Sequence, residues 1–362
     1  MQRHGWLPLF LLAACTAANP QWEIQNSGTT ADLRGIDNVG SRVAWASGAN
    51  GTVLRTEDGG YLWQACAIPP GAEHLDFRGI QAFDANAAIV MSSGKGDLSR
   101  LCKTADGCHT WKQVATNPDA SGFWDSVKAT TTESASILGD SMRRKCRVWS
   151  WSAEGLAPSY QAKCERGEGS FAASNSVLQV VDTPQVDPVW KYTLRFASGT
   201  ESRAYFTVFR EEHTATCEPC EGQINRVGFT LGNSKSLGIF SFAFRDDIVG
   251  VFVGGDFKKP DASPNAAGYS EDGGISWSSV QTPPHGYRSA VAYAAAKIWI
   301  TVGPNGTDVS TDDGRNWRAL HPDPAFHEPP DADRNWNALS LPFVVGPRGR
   351  IGKLNPHALA PH

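Results

Sequence analysis

Short apolar runs rich in β-prone residues alternate with glycine hairpins along most of the chain. Val43-Ala44-Trp45-Ala46, Ala88-Ile89-Val90-Met91, Ile298-Trp299-Ile300-Thr301 and Phe343-Val344-Val345 each lead into a turn. The turns are Gly48-Ala49-Asn50-Gly51, Ser93-Gly94-Lys95-Gly96, Gly303-Pro304-Asn305-Gly306 and Gly346-Pro347-Arg348-Gly349. Runs of this length bounded by glycine predict strands, whereas helical repeats would show an apolar period of 3.6 residues. A second element lies upstream: Leu33-Arg34-Gly35-Ile36, Phe77-Arg78-Gly79-Ile80, Trp124-Asp125-Ser126-Val127, Ile239-Phe240-Ser241-Phe242, Tyr287-Arg288-Ser289-Ala290 and Trp336-Asn337-Ala338-Leu339 align, with Phe171-Ala172-Ala173-Ser174 as a poorer seventh start. Most successive starts are about 48 residues apart, with one longer step before Ile239.

A third repeat follows the hairpins. Thr56-Glu57-Asp58-Gly59-Gly60-Tyr61-Leu62-Trp63 is matched closely by Ser270-Glu271-Asp272-Gly273-Gly274-Ile275-Ser276-Trp277, and also by the segments Thr104 to Trp111 and Ser310 to Trp317. These segments are Asp boxes. A short hydroxyl or carboxylate satisfies turn amides, glycine accepts backbone angles closed to branched residues, and the final tryptophan covers the turn. Asp58, Asp106, Asp272 and Asp312 therefore read as turn clamps, with Trp63, Trp111, Trp277 and Trp317 as their lids. The dense ladder of oxygen ligands that calcium requires is missing from every copy.

Inner strand, second strand, glycine turn, third strand, Asp box and outer strand make a four-stranded unit, and such units at this period build propeller blades. The fold class is all-β, and seven starts predict seven blades. The last unit lacks an outer strand while Trp22-Glu23-Ile24-Gln25 precedes the first, so the N-terminal strand is expected to close the final blade against Arg350 to Leu354. The longer step predicts an insertion around residues 185–225.

The N-terminus changes the picture from a free domain to an exported one. Arg3 and His4 precede an apolar run from Trp6 to Ala14, too short to span a bilayer but suited to a signal segment. Leu12-Ala13-Ala14-Cys15 has the form of a bacterial lipobox, with an ordinary cleaved signal peptide or a buried strand cysteine as the alternatives. The expected organisation is a signal peptide over 1–14, a lipidated Cys15 with a short tether over 15–21, and one propeller domain over 22–362. Thr16 after the cysteine favours the periplasmic face of the outer membrane or the cell surface.

In an oxidising compartment the nearest sequence pairs are Cys102 with Cys108, Cys146 with Cys164, and Cys217 with Cys220, leaving Cys66 free. The Cys217-Glu218-Pro219-Cys220 spacing also permits a redox centre. Seven mature cysteines in this arrangement do not form a zinc motif. The net charge of -4 carries no whole-chain signal for nucleic acid. Neither a nucleotide-binding glycine loop, a metal-spaced histidine pair nor a serine in a nucleophile elbow is present, so no cofactor and no metal are expected.

With these motifs in place, the chain resembles the photosystem II stability/assembly-factor-like family of Asp-box, or BNR-repeat, propellers. Leu33-Arg34-Gly35-Ile36, Val43-Ala44-Trp45-Ala46-Ser47-Gly48 and Gly51-Thr52-Val53-Leu54-Arg55-Thr56 stand in the family's order, and Val345-Gly346-Pro347-Arg348-Gly349-Arg350-Ile351 fits its closing phrase. The resemblance covers residues 22 to 354; Cys108 within the second Asp box and the elongated middle depart from it. It implies a seven-bladed scaffold for protein binding or assembly. Sialidases share Asp boxes, which makes a glycoside hydrolase acting on an extracellular glycan the runner-up. Their chemistry also needs three arginines around a substrate carboxylate, a Tyr/Glu nucleophile pair and an acidic proton donor, and the family's N-terminal Arg-Ile-Pro phrase is absent. Asp246, Asp247 and Asp256 are the acids outside Asp boxes that such an enzyme would draw on.

The second column of the upstream repeat reads Arg34, Arg78, Asp125, Phe240, Arg288 and Asn337. If the alignment holds, these residues share one level at a channel mouth, with Tyr287 beside them, and the arginine forks could receive a carboxylate, a phosphate or an acidic loop. Each arginine could instead pair locally with Asp32, Asp76 or Asp125. The expected partner is an envelope protein or complex.

Overall fold

The computed structural model describes residues 20–186, 189–213, 222–230, 232, 234–262, 266–355 and 359. Cys15, Cys217 and Cys220 lie outside them. Seven four-stranded antiparallel sheets follow one another around a ring. The innermost strands are Leu33–Val39, Phe77–Ala82, Trp124–Thr131, Leu178–Val186, Leu237–Phe244, Ala290–Ala295 and Ala338–Ser340. No helix among the described residues is long and apolar enough to cross a membrane.

The N-terminal strand Trp22–Gln25 closes the ring. It pairs antiparallel with Ile351–Leu354 in the register Trp22↔Leu354 through Gln25↔Ile351, and the Trp22 ring stacks on Trp336 with centroids 5.8 Å apart. Adjacent blades are held by apolar side chains between their faces. Trp45, Phe77, Ile80 and Val90 join blades one and two, while Leu33, Trp63, Phe343 and Ile351 join blades one and seven. Trp45, Trp124, Trp299 and Trp336 are fully buried, and side chains of this size each contribute about 1.5–3 kcal/mol or more through apolar burial.

Each Asp box closes by the same hydrogen bonds. In the third copy, Ser270 Oγ donates to Asp272 Oδ1 at 2.9 Å and accepts from Gly274 N at 2.9 Å, and Ser276 N donates to Asp272 Oδ1 at 2.9 Å. Thr56/Asp58, Thr104/Asp106 and Ser310/Asp312 repeat the arrangement. Hydrogen bonds from Thr110 and Thr104 pull the Asp106 carboxyl down to about 2, as expected of a carboxylate serving as a fixed acceptor.

Blade four corrects the expected insertion. Its strands are Leu178–Val186, Val189–Gly199, Ala204–His213 and Gln223–Phe229, so the stretch around 185–225 consists mainly of long strands of the blade itself. Phe171 to Ser174 precede the inner strand, which begins only at Leu178.

The disulfides also differ from expectation. Cys66 is joined to Cys108, and Cys102, Cys146 and Cys164 are buried free thiols. Spacing failed because neighbouring blades, rather than neighbouring residues, meet here. Ala67 N donates to Cys108 O at 3.2 Å and Trp111 Nε1 to Ala67 O at 2.8 Å, which lays the outer edge of blade one on the Asp box of blade two. Cys108 occupies the position of Gly60, Gly274 and Gly314 and adopts their left-handed conformation, with φ of 65°.

A central cavity as the candidate functional site

At one end of the ring the starts of the inner strands surround a cavity of about 630 Å³. A crowded glycine position shapes its rim. Gly48, Gly139, Gly254, Gly303 and Gly346 lie late in the second strands or just after them, and a Cβ on any of them would lie within 2.5 Å of a backbone carbonyl oxygen from the start of the same blade. Asp140 and Pro304, which follow two of these glycines, both line the cavity.

Arg34, Arg78, Asp125, Phe240 and Asn337 line this cavity together, and Tyr287 contributes to its wall. Five of the six residues of the repeat column thus lie along one cavity. Among the described residues, Arg34 makes a long contact with Asp32, at 3.8 Å, and its Nε has no hydrogen-bond partner. Arg78 is more committed: its Nε donates to Asp76 Oδ2 at 2.8 Å and its Nη1 to Ala172 O at 3.1 Å. Asn337 donates from Nδ2 to Leu33 O at 2.8 Å, tying blade seven to blade one.

Arg288 departs from the column. It is fully buried and directed into its own blade, donating from Nε to Asp308 Oδ2 at 2.7 Å and from Nη1 to Tyr287 O at 2.9 Å. A fully buried aspartate on the third strand supplies the counter-charge that a buried guanidinium requires, and so removes Arg288 from the mouth.

Two acids add a second polarity. Asp125 is enclosed, and its Oδ2 has no partner among the described residues. Burial, reinforced by the nearby negative charge of Asp140, pushes its carboxyl well above the usual carboxylate range, with Arg78 opposing. Asp140 is raised by burial as well and accepts from Ser170 N at 3.2 Å. Facing them is an aromatic wall. Phe171 stacks on Phe240 at 4.0 Å, and Tyr287 meets Phe240 edge-on at 4.8 Å. Burial raises the Tyr287 hydroxyl, against the influence of Arg34. Lys235 stands at the rim, paired with Glu201 at 2.9 Å.

Sequence reasoning missed Asp140, Ser170, Lys235 and Phe257 at this site. Asp140 had a signal: it follows Gly139 where the equivalent hairpins carry Ala49, Pro304 and Pro347. The acids considered for a hydrolase do not line the cavity. Asp246 accepts from Ile248 N and Val249 N in its own turn, Asp247 meets Arg195 at 3.6 Å, and Asp256 accepts from Lys258 N at 3.0 Å.

Seven sheets, Asp-box turns and a mouth lined by inner-strand residues define an Asp-box β-propeller with a central cavity. Residues 14–170 match the family model described as photosynthesis system II assembly factor YCF48. The solved structure of YCF48 bound to D1 peptide is similar over 92% of this chain and 96% of its own, at 16% identity and a TM-score of 0.56. YCF48 from Cyanidioschyzon merolae is similar over 93% and 99%, at 16% identity and a TM-score of 0.57. The WD40 propeller domain of Doa1 is similar over 95% and 99%, at 10% identity and a TM-score of 0.53. At these identities the likeness concerns the fold. No curated protein matches the sequence.

Proposed function

We propose that this chain is a non-catalytic binding scaffold of the cell envelope that holds a segment of a partner protein in its central cavity. The observation that carries the reading is the convergence of Arg34 and Arg78, the enclosed Asp125 and Asp140, and the Phe171/Phe240 wall on one mouth. An extended segment with an acidic group would place its charge on the arginine forks and its apolar side chains on the rings. That a propeller of this fold is known with a peptide bound supports a peptide-like occupant.

Hydrolysis of a glycan needs two carboxyls with separated tasks, one protonated and one ionised. Asp125 and Asp140 are both displaced toward the neutral form by burial, which gives no such division.

The signal segment and lipidated Cys15 belong to the same proposal. The strand Trp22–Gln25 runs antiparallel to the third strand of blade seven, so the chain enters it from the Asp-box end and leaves it toward the cavity end. A tether over 15–21 would then hold the Asp-box face toward the membrane and leave the mouth open to a partner of the envelope.

Proximity labelling from the anchored protein, followed by reciprocal capture with wild type and Arg34→Glu/Arg78→Glu, tests the reading. The variant should retain its circular-dichroism spectrum and lose the captured protein. Equal capture by the folded variant, or turnover of a defined glycan by the wild type, would overturn it.

A further inference from the structure

Away from the cavity mouth, two thiols and a carboxylate are buried together in blade three. Cys146 lies on the strand Lys145–Ser152 opposite Ala162. Cys164 follows the outer strand Gly155–Lys163, and its N–H donates to Arg144 O at 3.0 Å. The two cysteines are therefore diagonal neighbours on one face of an antiparallel pair, close enough for their side chains to meet. Their sulfurs and a Glu168 oxygen lie within 4.8 Å of one another.

Glu168 is not available as a metal ligand. Its Oε1 accepts from Ser198 Oγ at 2.6 Å and its Oε2 from Glu165 N at 2.9 Å, while Arg226 Nη2 reaches both oxygens at 2.7 Å. Those four contacts occupy the carboxylate's acceptor positions, and the guanidinium stands where a cation would be repelled. What is left is a pair of thiols in contact, in a chain that already carries the Cys66–Cys108 bond.

We propose that Cys146 and Cys164 form an oxidisable dithiol that closes to a disulfide by exchange with an oxidised protein dithiol or a low-molecular-weight disulfide. Cys164 is the attacking sulfur: burial and Glu168 raise its thiol against the opposing Cys146, Ser141 and Arg226, whereas burial, Cys164 and Glu168 all raise Cys146 with nothing opposing them. Its sulfur bonds to one sulfur of the oxidant and expels the other as a thiolate, which takes a proton. Cys146 then loses its proton and attacks the Cys164 sulfur, expelling the second thiolate of the oxidant. Two protein thiols are oxidised, and one external disulfide is reduced to two thiols. Access comes from the exposed outer strand Gly155–Lys163, whose opening need not disturb the inner strands.

The bond would fasten one end of a segment that builds the cavity. Gly169 bridges to Gly199, Ser170 N donates to Asp140, Phe171 stacks on Phe240, and Ala172 O accepts from Arg78. Closing Cys146 to Cys164 restrains this connection from its start, whatever the cavity holds.

The purified full-length protein is equilibrated in glutathione buffers of graded oxidation, quenched in acid, alkylated and peptide-mapped. A Cys146–Cys164 cross-linked peptide should accumulate toward the oxidising end with Cys66–Cys108 unchanged, and Cys146→Ser should trap Cys164 as a glutathione mixed disulfide. Amide exchange over residues 164–175 should slow by roughly tenfold in the oxidised form. A double Cys146→Ala/Cys164→Ala variant should abolish that redox difference. The proposal fails if both thiols still alkylate at equilibrium across the series, if either pairs with Cys102, or if the isolated protein holds one equivalent of metal at this pair. A cross-link that leaves exchange over 164–175 unchanged overturns the restraint on the cavity wall.

Discussion

Arg288 Nε lies 2.7 Å from Asp308 Oδ2, and the other oxygen of that carboxylate meets His285 Nδ1 at 2.5 Å. Both members of the ion pair are fully buried, so truncating the acid alone leaves a desolvated guanidinium without its counter-charge. Asp308→Ala should cost about 3–5 kcal/mol in urea unfolding, and Arg288→Met/Asp308→Leu should recover much of that loss. A cost under about 1 kcal/mol for the single variant would show that water reaches the pair.

The Cys66–Cys108 bond closes a loop with a sequence separation of 42, and its removal should cost about 4 kcal/mol through the freed unfolded chain. The replacement at position 108 matters separately, because its φ is 65°. Cys66→Ala/Cys108→Gly should be more stable than Cys66→Ala/Cys108→Ala by about 1 kcal/mol, since glycine adopts the left-handed region without a Cβ clash. Denaturant midpoints of the two variants decide it; equal midpoints would mean that the turn relaxes once the bond is gone.

Stability should depend on pH through the enclosed acids. Burial raises the folded-state value of Asp125 above the ordinary value, and Asp140 shifts in the same direction. As pH climbs past about 4, the unfolded chain releases protons that the folded chain retains. Their contribution is thus complete in acid and is lost as pH rises toward and through the folded-state values. Asp125→Asn cannot ionise, so its stability relative to wild type should increase steadily from pH 4 to 8. A difference that stays constant over that range would show that Asp125 titrates normally.

The Asp-box hydroxyls should matter more for the turn than for any chemistry. Ser270 is buried, and its Oγ both donates to Asp272 and accepts from Gly274 N. Ser270→Ala should cost about 1–3 kcal/mol by leaving those groups unpaired, with capture of a partner by the still-folded protein unchanged. Loss of capture at unchanged stability would instead assign the Asp-box face to binding.

The repeating hardware of this fold was legible because it is local. Hydroxyl, aspartate, glycine and tryptophan within eight residues specify a turn by themselves, and the missing outer strand of the last blade pointed to Trp22–Gln25. The site was legible as a column but not residue by residue. Arg34 and Arg288 occupy equivalent positions, yet Asp308 draws Arg288 inward while Arg34 makes a long contact with Asp32 at 3.8 Å. That difference depends on which residue the third strand presents across the sheet. The Cys66–Cys108 bond was hidden for a similar reason, since it depends on how two blades pack. Blade four was misread because its long strands lack the Asp-box punctuation that marks blades one, two, five and six.

Pairing Trp22–Gln25 with Ile351–Leu354 makes the first strand of the domain wait for its last. During synthesis the early blades can form their own hairpins, but the ring stays open until residues near the C-terminus arrive. Until then the unpaired edges of Trp22–Gln25 and of the final blade offer backbone groups to any passing strand. Closure therefore acts as a proofreading step on length: a chain cut short before Ile351 cannot cover Trp22 and Trp336. Such a product would be exposed to the proteases and chaperones of its compartment before its cavity could receive a partner.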